Sequence, residues 1–200
     1  MFAIVIFKKI SLQSLNMKRA YLFLGLIYFA FTCAAFSQNR VKEEKAIMLY
    51  EEKQLDAAKA LFEEILIEEP NNANVQEYLG NIAFDKMEYQ KAASHIKTLL
   101  EKYPDEARYH FKYGGAIGLY AKNNKLKGAF LIDDIKKHFH KAVDLDNKFV
   151  DAYLALVHLY IELPSIFGGS KEKALLYANQ VKKLSEEAGK EAMKLIANAN

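Results

Sequence analysis

Three small residues, Ala46, Gly80 and Gly114, stand 34 residues apart, and a pattern of residue types keeps the same period. In the first two periods another small residue follows twelve positions later, and a proline follows after twelve more, at Pro70 and Pro104. A period of this length is typical of a repeated pair of antiparallel helices. Because one pair cannot bury its apolar face alone, the sequence predicts an all-α solenoid of stacked pairs, whose long surface is suited to binding.

The second period shows this pattern most clearly. Its large, small, aromatic and proline positions are Leu79, Gly80, Ala83, Tyr89, Ala92, Ile96, Leu99 and Pro104. Small residues such as Gly80 and Ala92 let two helices approach closely, and we expect these two to face each other across the pair. Pro104 ends the second helix because its ring nitrogen cannot continue the hydrogen-bond ladder.

With these residues the chain resembles the tetratricopeptide repeat (TPR) family. The resemblance implies a right-handed α-solenoid of about four helix pairs with a C-terminal capping helix. The first repeat departs from the family at Lys42, where the family favours Trp, and the chain has no Trp at all. This departure weakens one position and leaves the register unchanged.

Two insertions interrupt the period after Gly114. The phase resumes at Ile135, which places nine added residues around 123–128, and five more fall at 164–170. Both insertions lie between the two helices of a repeat. The elongated third repeat with a Pro…Gly-Gly-Ser loop resembles a variant found in exported bacterial repeat proteins. Residues 128–145 are also similar, to a lesser extent, to the regulator-of-microtubule-dynamics repeat proteins.

The register predicts a single domain over 38–200, because no linker rich in Pro, Gly or Ser divides it. A polar-faced last helix is expected to cap the solenoid. The repeats are expected at about 39–72, 73–106, 107–149 and 150–184, and the capping helix at 186–197. The helix pairs are predicted at 40–52 with 55–68, 73–86 with 89–102, 106–122 with 128–145, and 149–162 with 171–184.

The N-terminus has the layout of a secretory signal. Residues 1–37 hold four basic residues and no acid, and an apolar run of twelve follows Met17-Lys18-Arg19. Ala35-Phe36-Ser37 then supplies a small-x-small cleavage site, so residues 1–37 are predicted to be a signal peptide. The start is either Met17, with residues 1–16 an over-extended beginning, or the first methionine, with an unusually long basic region.

Two alternatives compete with cleavage. A membrane anchor over residues 20–36 would be seventeen residues long, which is at the short end for crossing a bilayer. Lipid attachment at Cys33 requires a small residue before the cysteine and an aliphatic one two positions earlier, where this chain has Thr32 and Ala30. We therefore predict an exported protein, periplasmic or secreted, with anchoring by residues 20–36 as the alternative.

The charge balance carries little information about partners. The chain has 28 basic and 25 acidic residues, and four of the basic ones belong to the predicted signal. The rest of the chain is nearly neutral, so the basic balance gives no evidence for binding nucleic acid. Cys33 is the only cysteine and lies in the signal, so no disulfide or cysteine metal site is expected in the mature chain.

No catalytic motif occurs among the polar residues. His138 and His140 are two residues apart, so on a helix they point in different directions and cannot share a metal ion. The Gly168-Gly169-Ser170-Lys171 turn lacks the full phosphate-loop spacing, and no nucleophile elbow is present. A metal site from distant helices and an anion at this turn stay open as lesser alternatives. The sequence predicts a protein that is not an enzyme and uses no cofactor and no metal.

The family resemblance places a binding groove on the concave side, lined by the first helix of each pair. The residues that it assigns to this groove are Tyr50, Glu77, Asn81, Phe84, Arg108, Phe111 and His158. Asn81 and Arg108 flank an open stretch at Gly115 and Gly118. We therefore expect an extended peptide with one acidic group to bind between repeats two and three.

Two functions from different classes follow. The first is an exported adaptor that binds a protein or peptide in the concave groove. The second is a structural subunit docked in a cell-envelope assembly through its convex face or its inserted loops. The C-terminal carboxylates of a chaperone are not expected to be a ligand. Family members that clamp a chaperone's C-terminal carboxylates need Lys and Asn where this chain has Glu43 and Ile47.

Overall fold

The computed structural model describes residues 39–199. The predicted signal peptide at 1–37, its cleavage site and the alternative anchor at 20–36 lie outside the described residues. None of the helices within 39–199 combines the length and the apolar character that crossing a membrane requires.

All regular structure in the described residues is helical. Short 3-10 turns over Ala129–Leu131 and Ser165–Phe167 precede the seventh and ninth helices. In chain order the helices are 39–51 (α1), Leu55–Glu68 (α2), Ala73–Asp85 (α3), Tyr89–Lys102 (α4), Ala107–Asn123 (α5), Lys125–Gly128 (α6), Ile132–Leu145 (α7), Val150–Glu162 (α8), Lys171–Leu184 (α9) and Glu186–Asn198 (α10).

The chain divides into two compact units, one ending at Leu61 and one beginning at Phe62, so the division falls within α2. In the first unit Ala46 and Ala58, the small residues of the first period, are fully buried. The second unit holds α3 to α10. The single domain over 38–200 and the repeat boundaries stay predictions.

The predicted helices are present, and almost all their ends agree with the structure to within one residue. The exception is the helix predicted at 128–145, which the structure divides into α6, a 3-10 turn and α7. Gly128 makes the division possible, since a side chain there would place its Cβ 2.5 Å from the carbonyl oxygen of Ala121. The chain therefore folds back closely on the end of α5 before α7 begins.

Each helix of the second unit packs on its neighbours along the chain. α3 packs on α4, α4 on α5, α5 on α7, α7 on α8, α8 on α9, and α9 on α10. The core between them is apolar and rich in alanine, which allows close helix approach. Its fully buried members include Ala142, Ala152, Leu156, Val157, Ala174 and Ala178. α10 buries Ala192 and Ile196 and covers α9, as expected of a capping helix.

The two periodic glycines mark close contacts between paired helices. A Cβ on Gly80 would lie 2.9 Å from Cδ1 of Ile96, and one on Gly114 would lie 2.9 Å from Cε1 of Phe139. Gly80 is expected to face Ala92, but the three atoms nearest to a Cβ on Gly80 belong to other residues of α4. The nearest side chains are those of Ile96 and His95, because α4 presents the longer side chain to the gap that the glycine leaves.

Candidate functional site

A network of charged and polar side chains joins α3 to α5. Lys112 on α5 places its Nζ 2.5 Å from Oε1 of Glu77 on α3. Arg108, one turn earlier on α5, places Nη1 3.3 Å from the other carboxylate oxygen, Oε2. The Glu77 side chain is only 12% exposed. Two cations therefore hold one largely buried carboxylate between neighbouring first helices.

Asn81 belongs to the same network. It follows Glu77 by one helical turn, and its Oδ1 accepts a hydrogen bond from Lys112 Nζ at 2.8 Å. A free asparagine amide can both donate to and accept from a peptide backbone. Because Lys112 occupies the oxygen, the amide NH2 is the part of Asn81 that is left for a ligand.

Arg108 is the most exposed member of the network, with 52% of its side chain open to solvent. Its Nη2 donates to the hydroxyl of Tyr109 at 3.1 Å, and its Nε lies 3.4 Å from Oε1 of Glu106. Burial and the negative charge of Glu77 raise the pKa of the Tyr109 hydroxyl. The pair with Glu106 lies at the surface, where such pairs contribute little. A ligand carboxylate can therefore compete with Glu106 for the guanidinium.

Lys112 was missed by the sequence analysis, because it does not occupy one of the helix positions that the family uses to line its groove. The sequence contains a weak signal for the contact between Lys112 and Glu77. Lys112 follows Glu77 by 35 residues, one repeat and one residue, which brings opposite charges together on adjacent first helices. We call Glu77, Asn81, Arg108, Lys112 and Gly115 the first-helix surface.

Gly115 and Gly118 have different surroundings. A Cβ on Gly115 would meet nothing within 4 Å, whereas one on Gly118 would lie 3.9 Å from Cγ2 of Ile135 on α7. Gly115 therefore borders open space beside the network, as expected for a groove floor. Gly118 faces the paired helix instead, because three residues leave it about 60° around the axis of α5 from Gly115.

The two aromatic residues that the sequence assigns to the groove, Phe84 and Phe111, lie in different surroundings. Phe111 packs into the core, with its ring centroid 5.0 Å from that of Phe149 and 6.2 Å from that of Phe139. Phe84 is 37% exposed and makes an edge contact with Tyr89 at 5.5 Å, at the turn between α3 and α4. The structure assigns neither ring a place in the charged network.

The remaining two predicted residues stand apart from the network. His158 lies on α8, exposed, with Nδ1 3.8 Å from Oε1 of Glu162, which in turn pairs with Lys122 on α5 at 2.9 Å. Tyr50 lies in the first unit, where the Lys53 ammonium sits 5.4 Å from its ring centroid. Of the seven predicted residues, the structure brings together Glu77, Asn81 and Arg108.

Three histidines in the second unit hold structural positions. His110 Nε2 donates to the carbonyl oxygen of Pro104 at 2.8 Å, so its Nδ1 accepts from His138 Nδ1 at 2.9 Å. His140 Nε2 lies 2.9 Å from the hydroxyl of Tyr160. Burial lowers the pKa of His138 and of His140. Within residues 39–199 no group of three or more His, Cys, Asp or Glu side chains is arranged to hold a metal ion.

Comparison with known proteins bears on this arrangement. A sequence profile described as Tetratricopeptide repeat matches residues 49–112. A search of curated proteins found no match. The fold is similar to that of a thermophilic TPR protein from Thermus thermophilus, with a TM-score of 0.63 and 17% identity over 79% of this chain and 80% of that one.

Two further solved structures share the fold. MamA from Desulfovibrio magneticus RS-1 (residues 41 to the end) aligns with a TM-score of 0.61 and 17% identity, over 74% of this chain and 76% of that one. An O-GlcNAc transferase from Thermobaculum terrenum aligns with a TM-score of 0.57 and 17% identity, over 72% of this chain but only 26% of the enzyme. At these identities the similarity shows the fold.

Proposed function

Residues 49–112 belong to the tetratricopeptide repeat family and the described chain has the fold of its solved members, and on this premise we propose that the protein is an exported, non-catalytic adaptor. TPR folds act in general as protein-interaction scaffolds. The partner is a protein or peptide, and the binding site is the first-helix surface between the second and third repeats. Because fold alone does not locate function, the side chains of this surface assign the site.

The observation that carries this proposal is the open floor at Gly115, two turns along the same face of α5 from the half-exposed guanidinium of Arg108. A backbone without a side chain lets a ligand main chain approach closely. Arg108 can receive a carboxylate by displacing Glu106, and the Asn81 amide can donate to a ligand carbonyl. These three features suit an extended peptide with one acidic group.

Filling the floor at Gly115 is expected to abolish binding without harming the fold. The Gly115→Gln variant places a flexible polar side chain where a Cβ meets nothing within 4 Å, so its melting temperature should equal or exceed that of the wild type. The partner is first trapped by a photo-crosslinker at Leu119, one turn after Gly115, in the native host. Its affinity for the purified protein should then fall at least tenfold in the variant.

One control and a second binding-site variant accompany this measurement. A photo-crosslinker at Lys148, an exposed residue after α7, should not trap the same partner. The double variant N81A/R108A should lose binding and melt nearly as the wild type, because Glu77 keeps its pair with Lys112. A partner that still binds to Gly115→Gln and to N81A/R108A, but not to a chain in which 123–128 or 164–170 is shortened, would place the site on the inserted loops.

Export is tested at the N-terminus. If Ala35-Phe36-Ser37 is the cleavage site, the mature chain from the native host should begin Gln-Asn-Arg-Val, starting at Gln38. N-terminal sequencing of the soluble envelope fraction measures this directly. An intact N-terminus in the membrane fraction would favour the anchor at 20–36 instead.

A structural subunit docked through the inserted loops is the second candidate function. It is favoured by the exposure of large apolar side chains on both loops, 89% for Phe130 and 87% for Ile166. Such a subunit would be aggregated or obligately oligomeric unless it is expressed with its assembly. A monodisperse monomer in solution would favour the adaptor.

A further inference from the structure

A cavity of about 300 Å³ opens between α4 and α5, away from the first-helix surface. Its walls include Tyr89 on α4, Tyr113, Ile117 and Tyr120 on α5, and Leu131 in the 3-10 turn before α7. The α5 residues of the cavity follow one helical face, and Arg108, Lys112 and Gly115 follow another. A ligand in this cavity would therefore not compete for the floor at Gly115.

Exposed apolar side chains continue the cavity in two directions. Towards the α3–α4 turn, Tyr89 contacts Phe84, and Met87 beside it is 74% exposed. Towards the first insertion, Leu131 follows Phe130, which is 89% exposed. Soluble proteins rarely leave such neighbouring groups uncovered unless the surface binds something.

The second insertion joins the same surface. Lys136, one turn into α7, donates from Nζ to the carbonyl oxygen of Phe167 at 2.7 Å. This bond holds the loop that carries Ile166 against the helix that follows the first insertion. We call the shared surface the turn edge. Its exposed apolar members are Phe84, Met87, Leu126, Phe130, Ile166 and Phe167.

The charged side chains of the turn edge that make no ion pair within the described residues are positive. Its carboxylates have partners: Glu88 pairs with Lys91 at 2.7 Å, Asp133 with Lys136, and Glu162 with Lys122. Lys97, which lines the cavity, and Lys127, on the first insertion, make no ion pair within residues 39–199. A ligand that carries carboxylates complements these two cations.

We propose that the turn edge binds an acidic peptide segment of a partner protein. One bulky apolar side chain of the segment fills the tyrosine-lined cavity, and an adjacent carboxylate pairs with Lys97. The cavity favours a peptide over an anionic bilayer, because a bilayer has no protruding side chain that would fill it. The exposed residues of the two insertions then cover the apolar remainder of the segment.

The test uses an array of synthetic twelve-residue peptides, each with four acidic residues and a central Phe, Tyr, Leu or Ser. Fluorescence anisotropy with the purified protein should show binding of the Phe, Tyr or Leu peptides and at least tenfold weaker binding of the Ser peptides. The S94W variant fills the cavity from the exposed side of α4, and K97E reverses the charge. Each should weaken binding at least tenfold.

Matched control variants show whether a loss of peptide binding comes from the cavity itself or from adding a ring or changing a charge elsewhere on the surface. T98W adds the same ring next to Ser94 but outside the cavity, and K148E makes the same charge change at a distant turn. Both should bind within twofold of the wild type. G115Q should also bind normally, which keeps this site distinct from the first-helix surface.

Three outcomes would overturn the proposal. The first is that no peptide of the array binds with a Kd below 1 mM. The second is equal binding of the Phe and Ser peptides. The third is binding to phosphatidylglycerol vesicles that S94W does not change, together with no peptide binding, which would identify the turn edge as a membrane surface.

Discussion

Replacing Gly114 with alanine is expected to lower the free energy of unfolding by ~1–3 kcal/mol, whereas the same change at Gly115 should raise it by about 0.5–1 kcal/mol. A Cβ at Gly114 would lie 2.9 Å and 3.0 Å from two ring carbons of Phe139, which is buried on α7. A Cβ at Gly115 meets open space. There alanine gains only the helix propensity that glycine lacks.

Urea unfolding of the two variants and the wild type measures both effects. The neighbouring residues share one helix and one substitution, so differences in the unfolded chain largely cancel between them. Two variants that shift stability in the same direction would show that α5 is rotated from the orientation described here. Replacing Phe139 with leucine in the Gly114→Ala background should recover part of the loss, because the smaller side chain gives the new Cβ room.

Acidification between pH 7.5 and pH 5 is expected to destabilise the protein. Burial lowers the pKa of His138 and of His140 below the ordinary value of 6.5. As the pH falls below 6.5 the unfolded chain therefore binds protons that the folded chain does not, and the free energy of unfolding declines. Above that pH both states are neutral at these rings, and this contribution to stability is fully present.

The neighbours of the two rings shape this response. His138 is faced by His110 and by Asp134, whose Oδ1 lies 3.5 Å from Nε2 and partly offsets the cost of a buried charge. The hydroxyls of Tyr160 and Tyr177 enclose His140. Asp144 favours a proton on His140, and Lys173 and Lys136 oppose it.

Urea titrations at pH 7.5, 6.0 and 5.0 give the slope of stability against pH. The H138Q/H140Q double variant should flatten that slope, whatever its absolute stability, because glutamine does not titrate. An equal slope in the wild type and the double variant would assign the acid response to other groups.

The fold was predictable because its determinants are local and periodic. The small residues, the prolines and the phase of the apolar positions placed almost all the helix ends to within one residue. Ser170 caps α9, with its Oγ accepting from the Lys173 amide. Met87 and Lys53 adopt left-handed backbone angles, φ 61° and 62°. No glycine or asparagine marks these two turns, so that conformation could not be predicted from the residue types.

The candidate site was predictable only in part. Family positions identify which residues of a first helix face away from its partner. Three of the residues that they select, Glu77, Asn81 and Arg108, lie in one network in the structure. They do not say which of those side chains are already used by neighbouring repeats. Lys112 takes the Asn81 oxygen, and the ring of Phe111 turns into the core. The first outcome depends on a contact between two repeats, which the period within one repeat does not describe. The second depends on the ring contacts of Phe111 with Phe139 and Phe149.

The order in which α3 to α10 pack has a consequence for how this part of the chain gains and loses structure. Each helix of this unit rests mainly on the helices next to it in sequence. Contacts of this kind close short loops, so the chain loses little conformational entropy before each contact forms. Proteins with such a low contact order fold rapidly. Because α10 packs mainly on α9, we expect it to detach while the middle helices stay paired, so that unfolding begins at the C-terminal helix.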